Sequence, residues 1–289
     1  MSTVVVQNDE MKVGIESLGA ELQSLVDKKT GKEYMWSADP AYWGKCSPIL
    51  FPFVGGTRNK KFVTKGKTYT MTQHGFARGM EFELTREAAD EVWFAISSNE
   101  ETLAKYPYAF RLESGYRLMG RTLRVLWRVH NPADEVLYFS IGGHPAFRCP
   151  FEPGEELTEQ MIKFGDRKEI STSVISPAGL ATDERKTYQL KDSRLPITGH
   201  TFDQDALVLE EKQVQEISLC RADGSPYVTV TFDVPLFGVW SMPNAPFVCI
   251  EPWYGRCDHE NFTGTLAERE YGNVLEPGGT WEAFYDIHI

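Results

Sequence analysis

Residues 110–131 read FRLESGYRLMGRTLRVLWRVHN, and the period of this stretch decides the fold. Leu112, Tyr116 and Leu118 alternate with Arg111, Glu113 and Arg117, and Leu123, Val125, Trp127 and Val129 then alternate with Arg124, Arg128 and His130. A period of two gives each face of a strand its own class of side chain. Met119-Gly120 lies between the two runs, so the segment predicts a β-hairpin. Outward from it, residues 92–98, 215–221, 227–232, 236–242, 247–251 and 281–287 carry strand signals, with turns at 222–225 and 277–279. Helical signals are sparse: Asn99 caps a short acidic turn running to Lys105, and 266–271 fits one further turn. Many short strands with few helices predict an all-β fold, a single large antiparallel sandwich or barrel. No repeat or flexible linker marks a boundary, so one domain over residues 1–289 is expected. The polar segment 154–201 then decorates the same sheet system.

Composition narrows the function classes. A formal charge of −11 leaves no basic stripe for phosphates, so nucleic acid is not an expected partner. No apolar run approaches the roughly 20 residues that a membrane helix needs. The first ten residues are polar and acidic rather than basic and then apolar, so a secretory signal is not expected. Five cysteines without a CxxC pair favour reduced thiols in a cytoplasmic protein over disulfides or zinc, and Cys249 and Cys257 lack a second ligand pair nearby.

Four segments join ionisable side chains to unusual backbone punctuation: 53–58 (FVGGTR), 73–78 (QHGFAR), 142–147 (GGHPAF) and 250–255 (IEPWYG). His144 and Glu251 each end an apolar strand and each precede a proline, which holds the residue before it in extended backbone. Alternation then sets Tyr138, Ser140, Gly142 and His144 on one face, and Phe247, Cys249 and Glu251 on one face of the other strand. Two titratable groups mounted on strand ends suit proton transfer. Each taken alone also reads blandly, His144 as a structural hydrogen-bonder and Glu251 as a surface carboxylate. Arg58 and Arg78 serve equally as surface cations or as planar forks for ligand hydroxyls. Trp240, Trp253 and Tyr254 offer flat apolar faces for ligand C–H groups or plain core packing. Asp203 and Asp205 precede an apolar strand, and either suits hydroxyl binding or solvation.

As an ordered set, His-Gly-Phe-Ala-Arg (74–78), Gly-Gly-His-Pro-Ala-Phe (142–147) and Glu-Pro-Trp (251–253) resemble the aldose 1-epimerase (galactose mutarotase) family. The likeness is closer to its LacX-like branch and runs from Gly19-Ala20-Glu21-Leu22 to the last strand. It implies a β-supersandwich and interconversion of the α and β anomers of an aldose. It implies Glu251 as general base at the C1 hydroxyl and His144 as general acid at the ring oxygen. His74 becomes the second histidine near the reacting centre, and Arg58 the substrate-binding arginine. Trp253 and Arg78 come with the same motifs, Arg78 in a binding or a structural role. The binding aspartate falls on Asp205, or on Asp203 if the alignment shifts by two. The chemistry implied needs no metal, redox cofactor or covalent intermediate. A free aldose such as galactose or glucose is the expected partner, with the protein a monomer or weak homodimer.

Other readings compete. A non-catalytic sugar-binding protein needs the aromatics and Arg58 but no ionisable Glu251. A hexose-6-phosphate mutarotase would use cations such as Lys60-Lys61, and a glycoside hydrolase would need a second carboxylate facing Glu251.

Overall fold

The computed structural model describes residues 2–289. The alternating stretch forms strands Arg111–Met119 and Thr122–His130, with Met119 paired to Thr122. The two-residue turn is therefore Gly120-Arg121, one position later than the sequence suggests, because Gly120 supplies the left-handed φ of 58° that opens it. Leu112, Tyr116, Leu118, Leu123, Val125, Trp127 and Val129 are all buried on the inner face. The hairpin sits inside a nine-stranded antiparallel sheet, beside the last strand Thr280–His288.

A second, eight-stranded sheet carries Ala181–Gln189, Glu169–Ile175, Leu207–Leu209, Leu236–Trp240, Phe247–Tyr254, Ile141–Gly143 and Ile49–Leu50 in that order. Ala146–Arg148 also pairs with Phe247–Tyr254. One buried apolar cluster takes Phe237, Val239, Val248 and Ile250 from this sheet and Val125, Trp127, Tyr285 and Ile287 from the other. The chain is thus an antiparallel β-sandwich, and segment 154–201 gives strands to both sheets: Met161–Phe164 and Arg194–Pro196 to one, Glu169–Ile175 and Ala181–Gln189 to the other. Among the described residues, helix is confined to Glu100–Lys105, closed by a reciprocal Asn99–Thr102 capping box, and to short 3-10 turns such as Leu266–Glu268. Among the described residues no helix is long and apolar enough to cross a membrane.

The strand Phe247–Tyr254 does not stop at Glu251 but runs on through Pro252. Ile250 donates to the carbonyl of Pro145, and alternation aims the nitrogen of Pro252 at the same neighbour. Pro252 has no hydrogen to give there, and neither has Pro145, so the ladder is interrupted on both sides of one residue pair. That pair is His144 and Glu251. Gly142 pairs with Trp253 and Ala146 with Cys249, a register that sets His144 directly opposite Glu251.

Alternation leaves Cys249, Glu251 and Trp253 on the face turned away from the main core. Trp253 can lie flat there only because its neighbours lack side chains. A Cβ on Gly238 would fall 2.5 Å from the Trp253 ring, and one on Gly142 would fall 2.6 Å from it. Gly238→Ala therefore forces the indole off its site, at an overpacking cost of about 1–3 kcal/mol. A urea unfolding midpoint unchanged from wild type would contradict this packing.

Candidate active site

Above this face lies a cavity of about 440 Å³, whose lining includes His74, Arg78, His144, Asp205, Glu251 and Trp253. Six of the residues singled out from sequence are thus brought together from four distant segments. His144 and Glu251 are 7% and 1% exposed, and His144 Nε2 stands 3.2 Å from Glu251 Oε2. The contact is close but not aligned as a hydrogen bond, so Glu251 Oε2 is buried without a protein hydrogen-bond partner, and His144 Nδ1 and Trp253 Nε1 are likewise unpartnered. Native proteins rarely leave such groups unmatched. All three belong to residues that line the one cavity.

Burial dominates the electrostatics. It pushes the Glu251 carboxyl well above its ordinary range, with the charge of Asp205 adding to the rise. The Trp253 indole N–H works against the rise, although it falls short of a proper hydrogen bond. Burial drives His144 well below its ordinary value, assisted by His74 and Arg78. Their 3.2 Å contact acts in the opposite sense, since each favours the charged form of the other. A neutral acid–imidazole pair and a carboxylate–imidazolium pair hold the same single proton, so the two groups titrate as a unit.

His74 takes a left-handed backbone conformation (φ 67°), and Gly75 continues it so tightly that a Cβ would meet the Phe51 carbonyl at 2.2 Å. The Gly55 N–H donates to His74 Nδ1 at 3.2 Å, which fixes the hydrogen on Nε2. Burial and the Arg78 charge pull its pKa down to about 3. His74 is accordingly a neutral donor, its ring edge-on to His144 with centroids 5.7 Å apart. Arg78 gives one hydrogen bond to the Gln73 carbonyl at 3.0 Å and also lines the cavity.

The structure separates the two aspartates. Asp205 lines the cavity, held in a left-handed conformation (φ 69°) with its Oδ1 accepting from the Ala206 N–H. Asp203 is outside that lining and pairs with the exposed His200 at 2.8 Å. Three sequence expectations are corrected. Arg58 does not line the cavity: Asp258 holds its backbone N–H at 2.8 Å, and its guanidinium turns to the Phe262 carbonyl. Tyr254, one residue past Trp253, falls on the opposite face by alternation and bonds the Asp233 carbonyl. Tyr138 and Ser140 leave the His144 face, because Leu137–Phe139 pairs with Asn273–Leu275 and the chain changes sheets at Ser140.

Trp43 is a lining residue that the sequence reading passed over. Its ring lies 4.7 Å from that of His144, tilted by 30°, while Trp240 meets His144 edge-on at 5.6 Å. Trp43 sits in an irregular segment with no periodicity, so nothing local connects it to His144. Lys60 and Lys61 are exposed and outside the lining; Arg78 is the cation in it.

The chain is similar to known proteins over almost its whole length. A family model described as Aldose 1-epimerase matches residues 2–287. The plasmid-borne protein LacX of Lactococcus lactis subsp. lactis is 32% identical, over 99% of this chain and 99% of that one. The structure of a galactose mutarotase related enzyme from Lactobacillus acidophilus superposes with a TM-score of 0.94 at 32% identity, covering 99% of this chain and 97% of its own. A galactose mutarotase-like protein from Lactobacillus casei gives 0.91 at 27% identity, with 99% of both chains covered.

Proposed function

Since this chain belongs to the aldose 1-epimerase family, we propose that it interconverts the α and β anomers of a free aldose, with His144 and Glu251 moving the protons. The observation that carries the proposal is the buried cross-strand pair of these two residues at 3.2 Å, facing one cavity. Ring opening removes a proton from the C1 hydroxyl and delivers one to the ring oxygen as the C1–O5 bond breaks and the C1 carbonyl forms. Glu251 takes the first proton and His144 gives the second. Rotation about C1–C2 presents the other carbonyl face, and closure reverses both transfers. Nothing is consumed, and each well-placed transfer group contributes about 10²–10⁴-fold.

The remaining lining fits a sugar. Neutral His74 donates from Nε2 toward the reacting oxygens, while Arg78 and Asp205 engage ring hydroxyls from its lining. Trp43, Trp240 and Trp253 supply flat apolar faces for C–H groups. Desolvation in this cavity strengthens each polar contact.

The decisive experiment follows the optical rotation of freshly dissolved α-anomers of glucose, galactose and their 6-phosphates, with and without protein. Acceleration for the free sugars supports the proposal. Acceleration for the phosphates alone moves it to a phosphorylated substrate, and no acceleration for any of them overturns it.

A pH profile checks the shared proton. The competent pair holds one proton, so a second proton ends activity on the acid side and loss of the first ends it on the alkaline side. Burial holds the acid limb below the ordinary histidine value of 6.5 and lifts the alkaline limb above the ordinary carboxylate value of 4.5. The expected result is a bell with a broad top around neutrality. A rate that is flat from acid to alkaline pH would contradict it.

A further inference from the structure

Cys249 shares the Glu251 face, next to the proton-transfer pair, and the reaction above gives it nothing to do. Its sulfur, a nitrogen of His144 and an oxygen of Glu251 all lie within 4.8 Å of one another, and all three residues are buried. Two of these donors already stand at metal-bridging distance. Zinc bound at about 2.0–2.1 Å to a nitrogen and an oxygen, with a tetrahedral angle between them, sets those atoms about 3.3 Å apart. His144 Nε2 and Glu251 Oε2 are 3.2 Å apart. A second observation also points to a ligand: the 1% exposed Glu251 has an oxygen without a hydrogen-bond partner.

Charge and softness narrow the ion. A thiolate and a carboxylate bring two negative charges and imidazole none, so a divalent cation leaves no net charge in the buried site. Thiolate with imidazole suits zinc and its neighbours, whereas magnesium and calcium take oxygen sets. Three protein donors leave a fourth position toward the cavity that His144 and Glu251 line.

The geometry points to a binding site for a thiophilic divalent cation, formed by His144, Cys249 and Glu251, which competes with the sugar for the cavity. Binding forms three coordinate bonds and releases to solvent the thiol proton and the proton of the acid–base pair. The bound ion holds both proton-transfer groups, so it stops turnover reversibly. Cation binding stands independently of the proposed reaction, and only the inhibition rests on it.

Cobalt(II) alone is the direct probe, added to the full chain in the reduced state. One equivalent is expected to bind, with tetrahedral visible bands and a thiolate-to-cobalt charge-transfer band. Cys249→Ser is expected to remove the charge-transfer band and to raise the zinc concentration for half-inhibition by about tenfold or more. Cys249→Ala, which needs no hydrogen-bond partner, serves should the serine fail to fold. Cys257→Ser keeps the band, and magnesium leaves the rate unchanged. No bound cobalt in equilibrium dialysis overturns the site, as does a charge-transfer band that survives both Cys249 variants. Cobalt binding of the expected kind by a protein that accelerates no mutarotation would uphold the site and sink the epimerase reading alone.

Discussion

Glu251→Gln is expected to lower kcat for mutarotation by about 10²–10⁴-fold while sugar affinity changes only a few-fold. The amide keeps the shape of the side chain and still offers an oxygen and a donor to a hydroxyl, but it cannot hold the transferred proton. The variant should fold, because burial already disfavours charge at this position and the amide carries none. Optical rotation gives the rate, and calorimetric titration with galactose or glucose gives the affinity. Activity within a few-fold of wild type would remove Glu251 from the reaction and favour the non-catalytic sugar-binding reading.

His144→Asn is expected to cost a similar factor, and the double variant with Glu251→Gln little more than either alone. Two groups that pass protons through one substrate act as a unit, so deleting the second removes a partner that is already idle. Independent effects would instead multiply. Asparagine is smaller than the imidazole that Trp43 and Trp240 pack against. Some stability is lost with it, and the rate comparison is made well below the unfolding midpoint. Full multiplication of the two losses would show that the residues do not share one proton-transfer sequence.

Much of the fold was legible because antiparallel strands write their burial into a period of two. The run around Val125 follows that rule for nine residues and the run around Leu112 departs from it only at the buried Gly115, and both are strands. Edges were less legible: Glu83–Glu87 is exposed throughout and shows no apolar alternation at all. Prolines misled in a specific way. Pro252 looks like a strand terminator, yet the strand continues, because its missing hydrogen falls on the side of Gly143 and pairing with Leu236–Trp240 runs on through Phe237 and Pro252.

The sequence by itself determined the all-β class, the family likeness, and the residue types at 74, 78, 144 and 251–253. Each of these depends on local order, where neighbours in the chain are neighbours in the strand. Only the tertiary structure decided which side chains meet. It set His144 opposite Glu251 through the register of strands about a hundred residues apart. It set Asp205 in the cavity lining and Asp203 outside it, and it sent Arg58 away toward Phe262. It also placed Trp43 against His144 and the Cys249 sulfur beside Glu251. Pairing between distant strands depends on which faces and registers bury together, and no window along the chain contains both partners.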